Sequence, residues 1–209
     1  MSLTAGGGGS DTYIDVENIV GTDFDDSLTG DIGDNVLDGG AGTDSLFGEG
    51  GDDVLLGSGG ADAYHGGEGT DTVSYEAAQA GVTVNLASGG SGGAAAGDTY
   101  ESIERVSGSA FADSLTGDEA ANILVGQDGD DALIGAGGDD TLRGGAGADH
   151  LDGGEGYDTA DYTDAKRGVS VALSTGIRDG GELTDGLVRP GAGAARVSCG
   201  VGVGAAALL

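Results

Sequence analysis

From Gly21 onward one apolar residue returns at every ninth position: Leu28, Leu37, Leu46, Leu55, Tyr64 and Val73. After a gap the same beat resumes at Leu115, Leu124, Leu133, Leu142, Leu151 and Ala160. Each lies between two variable residues, which predicts a strand of three residues with a single inward side chain. The six residues between strands take the form G-G-x-G-x-D. Glycine at those positions supplies positive φ and close backbone approach, so these stretches suit only turns.

The units run without a gap as GTDFDDSLT, GDIGDNVLD, GGAGTDSLF, GEGGDDVLL, GSGGADAYH and GGEGTDTVS from Gly21 to Ser74. A second block, GSAFADSLT, GDEAANILV, GQDGDDALI, GAGGDDTLR, GGAGADHLD and GGEGYDTAD, runs from Gly108 to Asp161. The blocks are duplicates. Residues 98–162 align with 11–75 at a constant offset of 87, and more than half of the positions are identical. The match continues beyond the repeats, where Gly81-Val82-Thr83-Val84-Asn85-Leu86 answers Gly168-Val169-Ser170-Val171-Ala172-Leu173.

One apolar residue per nine cannot bury itself within its own unit, so the units must stack, each on those above and below, in a thin continuous core. The expected fold is all-β, a parallel β solenoid. With two nonamers per coil, equivalent turns lie eighteen residues apart, so Asp26, Asp44 and Asp62 line one edge and Asn35, Asp53 and Asp71 the other. The second block repeats this with Asp113, Asp131 and Asp149 opposite Asn122, Asp140 and Asp158.

Composition alone would argue for disorder, because 37 acids face 7 lysines and arginines for a net charge of −30, with only 9 Phe and Tyr and no Trp. The strict period overrides that inference. The charge disfavours nucleic acid and anionic membranes as partners. A single cysteine, Cys199, excludes an intramolecular disulfide. No stretch is long and apolar enough to insert in a membrane, and MSLTAGGGGS lacks the basic and apolar regions of an N-terminal signal peptide.

Phase gives the acids a role: all twelve sixth positions are Asp or Asn. Adjacent parallel strands lie about 4.8 Å apart. Carboxylates stacked near that spacing repel by about 1 kcal/mol per pair in bulk water, and by several at a protein surface. A cation between them removes the conflict. Ca²⁺ suits a site of carboxylates and turn carbonyls, whereas Mg²⁺ demands stricter geometry and zinc or copper would call for histidine or cysteine, present only as His65, His150 and Cys199.

These units resemble the RTX, or hemolysin-type, calcium-binding repeats G-G-x-G-x-D-x-U-x. The resemblance implies a parallel β-roll in which sixth-position aspartates and turn carbonyls hold calcium together with the turn two units later. It pairs Asp44 with Asp62, Asp53 with Asp71, Asp131 with Asp149 and Asp140 with Asp158. Fourth-position backbone contributors would be Gly42, Gly51, Gly60, Gly69, Gly129, Gly138, Gly147 and Gly156. Each block opens irregularly, with Phe24 and Phe111 at the fourth position, Ala120 for glycine in the next unit, and Asn35 and Asn122 for aspartate. Asp26, Asn35, Asp113 and Asn122 are therefore expected to be weaker ligands in capping coils.

The resulting organisation is a lead-in and cap (1–20), a first repeat block (21–74) and a spacer (75–107), expected to continue the solenoid with a Gly-rich loop at 89–97. A second block (108–161), a C-terminal cap (162–176) and a poorly ordered tail (177–209) follow. Resemblance implies a secretion signal in the tail, but its composition lacks the family's acidic and aromatic ending, so an altered reading frame stays open. His65 and His150 do not correspond under the offset and are read as solvent-facing. Tyr13, Tyr75, Tyr100 and Tyr162 recur beside the blocks and are read as packing rather than as a carbohydrate-stacking face.

The only G-x-S-x-G stretch, Gly89 to Gly93, lies in a glycine-rich spacer, and no H-E-x-x-H occurs, so no catalytic residues are assigned. The functional expectation is a calcium-binding roll of a secreted, extracellular bacterial protein, passed through type I secretion machinery and folded by external calcium. Two alternatives stay open. One is the repeat portion of a larger secreted enzyme or toxin, such as a protease, lipase or alginate epimerase. The other is an adhesive or matrix spacer that binds polysaccharide or a cell surface.

Overall fold

The computed structural model describes residues 2–3, 11–12, 16–166, 168 and 196–198. The remainder of the expected C-terminal cap, most of the tail and Cys199 lie outside the described residues. The described chain is a stack of short parallel strands wound as a β-roll, with the strand triplets falling on the last three residues of each nonamer.

One face is an uninterrupted eight-stranded sheet in which the central residues Ile19, Leu37, Leu55, Val73, Val106, Leu124, Leu142 and Ala160 are stacked in register. The opposite face carries Leu28, Leu46, Tyr64 and Tyr100 in one sheet and Val84, Leu115, Leu133 and Leu151 in another. These two rows meet as the core, where six leucines (37, 46, 55, 115, 124 and 133) are 0% exposed. Each such burial contributes about 1.5–3 kcal/mol, an amount no single nonamer obtains alone.

The spacer joins both blocks into one roll. Arg105–Ser107 pairs with Thr72–Ser74 on one side and Ile123–Val125 on the other, so the eight-stranded sheet crosses the boundary unbroken. On the opposite face the chain reverses its spatial order. Thr83–Asn85 reaches forward to pair with Ser114–Thr116, while Thr99–Glu101, later in sequence, reaches back to Ala63–His65. Between them the chain doubles back, bridging Thr83 to Gly92 in antiparallel sense and turning through a short 3₁₀ helix at Gly93–Ala95. Glycine is required there: a Cβ at Gly90 would lie 1.9 Å from the carbonyl oxygen of Ala95, which is itself fully buried.

Tyr75 and Tyr100 pack at this junction. The Tyr75 hydroxyl donates to Asp98 at 2.6 Å and lies 2.6 Å from that of Tyr100, whose ring stacks on Tyr64 at 5.7 Å. His150 is exposed, as its position suggested, but His65 is not simply solvent-facing. It stacks on Phe47 at 4.6 Å and shares a 2.8 Å hydrogen bond with Glu101, because in-register rungs bring ninth-position side chains together.

The second position turns left-handed in seven of the twelve units, at Gly40, Gly67, Gly145 and Gly154 and equally at the non-glycines Glu49 (φ 76°), Gln127 (φ 77°) and Ala136 (φ 81°). An L side chain there costs about 1–2 kcal/mol, partly offset in glycine by greater unfolded-state entropy. Ala136→Gly is expected to raise stability by about 0.5–1 kcal/mol, read as a higher midpoint of thermal unfolding in excess calcium.

Candidate metal centre

The sixth-position acid leads each strand and sits where turn becomes core. Asp44, Asp53, Asp62, Asp71, Asp131, Asp140 and Asp149 are all 2% exposed or less. One oxygen of each carboxylate ties adjacent coils by accepting a backbone N–H from the sixth position eighteen residues earlier. Asp44 N–H donates to Asp62 and Asp53 N–H to Asp71, both at 2.9 Å; Asp131 N–H donates to Asp149 at 3.2 Å and Asp140 N–H to Asp158 at 3.1 Å. The aspartates paired in sequence are thus brought together in space, one rung apart.

The other oxygen is left over. Oδ2 of Asp44, Asp53, Asp71, Asp131, Asp140 and Asp158 is buried with no hydrogen-bond partner. Such an atom is costly unless something positive meets it. It lies over the first glycine of its own unit, on a side also approached by the first-glycine carbonyl of the next coil. A Cβ at Gly48 would stand 2.2 Å from Asp53 Oδ2 and 2.5 Å from Gly66 O; one at Gly126 would stand 2.3 Å from Asp131 Oδ2 and 2.7 Å from Gly144 O. The first glycine is therefore fixed by the carboxylate and carbonyl that converge on it.

The fourth-position glycines, Gly42, Gly51, Gly60, Gly69, Gly129, Gly138, Gly147 and Gly156, all have positive φ, between 96° and 152°. They stack directly upon one another: a Cβ at Gly60 would lie 1.6 Å from the carbonyl oxygen of Gly42, and one at Gly147 would lie 1.5 Å from that of Gly129. Only bare backbone fits, and its carbonyls line the turn edge.

Burial raises the carboxyls above the ordinary range, with neighbouring carboxylates adding to the effect and the backbone N–H bond opposing it. Asp131 is pushed up to about 7, and Asp62, Asp71 and Asp140 to about 6. Asp44, Asp53 and Asp149 move in the same direction for the same first cause. By contrast Asp161, paired with Arg143, is lowered to about 2 by that hydrogen bond.

The opening units differ. Asp26 accepts from the Thr22 backbone N–H and hydroxyl, and Asp113 from Val82 N–H and from both groups of Ser109. Asn35 and Asn122 accept from the second residue of their own turns, Asp31 and Asp118. These four close their turns with local hydrogen bonds.

Two further sets of residues fall outside the sixth-position signature of the repeats. Asp98 and Glu104 carry the ladder through the spacer, accepting from Asp62 N–H and Asp71 N–H at 2.9 Å each. The signal was the half-repeat acid-x-U-x in Asp98-Thr99-Tyr100-Glu101 and Glu104-Arg105-Val106-Ser107. A second, exposed ladder uses the fifth position, where Asp25, Asp34, Asp52, Asp130 and Asp139 accept N–H groups from Thr43, Asp52, Thr70, Ala148 and Tyr157.

The donor set fits a hard cation. Among the described residues no three acid, histidine or cysteine side chains converge on one point. A cation at a turn would therefore draw on one or two carboxylates and otherwise on backbone carbonyls, an all-oxygen environment that matches calcium. The fold and these turns define a calcium-type β-solenoid. The chain matches the RTX calcium-binding nonapeptide repeat in four copies, over residues 15–46, 38–73, 99–133 and 125–160, and it belongs to that family. No curated protein matches it.

Proposed function

We propose that this chain is a calcium-binding roll of a secreted bacterial protein, exported unfolded by a type I route and folded by extracellular calcium. The observation that carries the reading is the row of buried Oδ2 atoms without partners, repeated on both edges. Asp44 with Asp62, Asp53 with Asp71, Asp131 with Asp149 and Asp140 with Asp158 would hold the ions, with carbonyls of the glycine turns completing each site. Calcium bound there supplies the charge that lets the coils close, so binding free energy becomes folding free energy. Weak sites then act as a compartment switch, filling only where calcium is abundant. The chain's role is non-catalytic in this reading.

Isothermal calorimetry on the chelator-treated chain is the test. Several calcium ions should bind per chain, magnesium should bind far more weakly, and Asp140→Asn should reduce the calcium stoichiometry. Equal responses to both ions, or a single calcium site indifferent to the substitution, would overturn the reading.

A further inference from the structure

Among the described residues the roll ends in open sheet edges. At the N-terminal end Asn18–Thr22 and Ser27–Thr29 are outermost in their sheets, and at the C-terminal end Thr159–Ala160 is outermost in the eight-stranded sheet. Unpaired rows of N–H and C=O groups are templates for another chain. The duplication identifies which chain fits.

Inside the molecule, the C-terminal end of the first block is already covered by a segment of this kind. Thr99–Glu101 and Arg105–Ser107 pair with Ala63–His65 and Thr72–Ser74. Tyr75 donates to Asp98, Asp62 N–H donates to Asp98, and Asp71 N–H donates to Glu104. At the offset of 87 every one of these groups recurs on the two ends of the roll. Tyr162, Asp149 and Asp158 stand at the C-terminal end where Tyr75, Asp62 and Asp71 stand at the junction. Asp11-Thr12-Tyr13 is identical to Asp98-Thr99-Tyr100, and Glu17 answers Glu104.

One half of this duplicate junction visibly lacks its complement. Among the described residues the Tyr162 hydroxyl is buried without a hydrogen-bond partner, whereas the hydroxyl of its counterpart Tyr75 has two. Asp11–Thr12 pairs, among the described residues, only with Ser2–Leu3, as a two-stranded antiparallel ribbon outside the roll's sheets.

We propose that the C-terminal end of one roll binds residues 11–22 of a second copy of this chain, rebuilding between molecules the junction that joins the two blocks within one. Asp11 and Tyr13 of the second copy take up the Tyr162 hydroxyl, Glu17 accepts the Asp158 N–H, and Asn18–Val20 extends the eight-stranded sheet beyond Thr159–Ala160. Arg196–Ser198 lies along His150–Asp152 in the slot that Thr99–Glu101 fills at the junction, so the second copy displaces it there. Because the two surfaces differ, the contact is heterologous and propagates into a linear, head-to-tail filament rather than closing as a dimer.

The full-length chain in excess calcium tests this by sedimentation velocity, with circular dichroism confirming that each sample is folded. Average mass should rise with concentration beyond twice that of the monomer. Asp11→Ala/Tyr13→Ala/Glu17→Ala and Tyr162→Ala should each lose that rise alone, yet their mixture should reach twice the monomer mass and stop, since each retains the opposite surface. A folded wild-type chain that stays monomeric near millimolar concentration, stops at a dimer, or associates equally well with the triple substitution overturns the proposal. The triple substitution lies outside the repeat coils, so it decides the matter even if Tyr162→Ala does not fold. The contact requires only a folded roll, so a chain that folds without calcium is subject to the same outcomes.

Discussion

At about neutral pH, removing calcium is expected to collapse the far-ultraviolet β signal of this chain, and acidification to about 5 in the continued presence of chelator is expected to restore part of it. Both effects follow from the sixth-position ladder. With no cation, each edge stacks buried carboxylates at strand spacing, and repulsion of several kcal/mol per pair at protein-surface dielectric opposes the one leucine per unit that favours stacking. Protons relieve the same strain. Burial raises Asp131 to about 7 and Asp62, Asp71 and Asp140 to about 6, so the folded roll holds protons more tightly than the unfolded chain. Stability gained from protonation is complete below the ordinary carboxyl value of about 4 and is lost as pH rises through 6 to 7. A pH of about 5 keeps the chain above its isoelectric point of 4.1. A chelated spectrum that does not change between these two pH values would show that the carboxylates do not control folding.

The second large effect is expected from a single methyl group. Gly60→Ala places a Cβ 1.6 Å from the Gly42 carbonyl oxygen at a φ of 136°, so both the coil spacing and the backbone conformation must yield. The neighbouring Gly59 has nothing within 4 Å of where its Cβ would be. Gly60→Ala should cost about 3 kcal/mol or more, whereas Gly59→Ala should be neutral or stabilising by up to about 1 kcal/mol through the unfolded state. Thermal unfolding in excess calcium separates them. Equal midpoints for the two variants would mean that the turns are not close-packed against one another.

Much of this architecture is legible in the chain because the period is strict. The ninth-residue aliphatics are the buried rungs, and the G-x-D phase marks the carboxylates that link one coil to the next. The spacer is harder to read. Asp98 and Glu104 act as sixth-position acids without the G-G-x-G-x-D turn before them, so the repeat signature passes over them although the ladder does not. The exchange of Thr83–Asn85 and Thr99–Glu101 is a matter of spatial order, which no local pattern encodes. The opening turns conceal a similar point: Thr22 and Ser109 supply the hydroxyls that satisfy Asp26 and Asp113, a role visible only once the turn is closed.

That exchanged pair of strands governs how the roll comes apart. Peeled from its C-terminal end, the stack would release its rungs one after another, each leaving those beneath it intact. The sequence of small steps ends when Ser114–Thr116 departs, because that strand is the partner on which Thr83–Asn85 is seated. The later-numbered rung is then still clamped to Ala63–His65 while the earlier one hangs free. The crossing therefore acts as a latch, and it makes the spacer's first strand mechanically dependent on the second block's first coil.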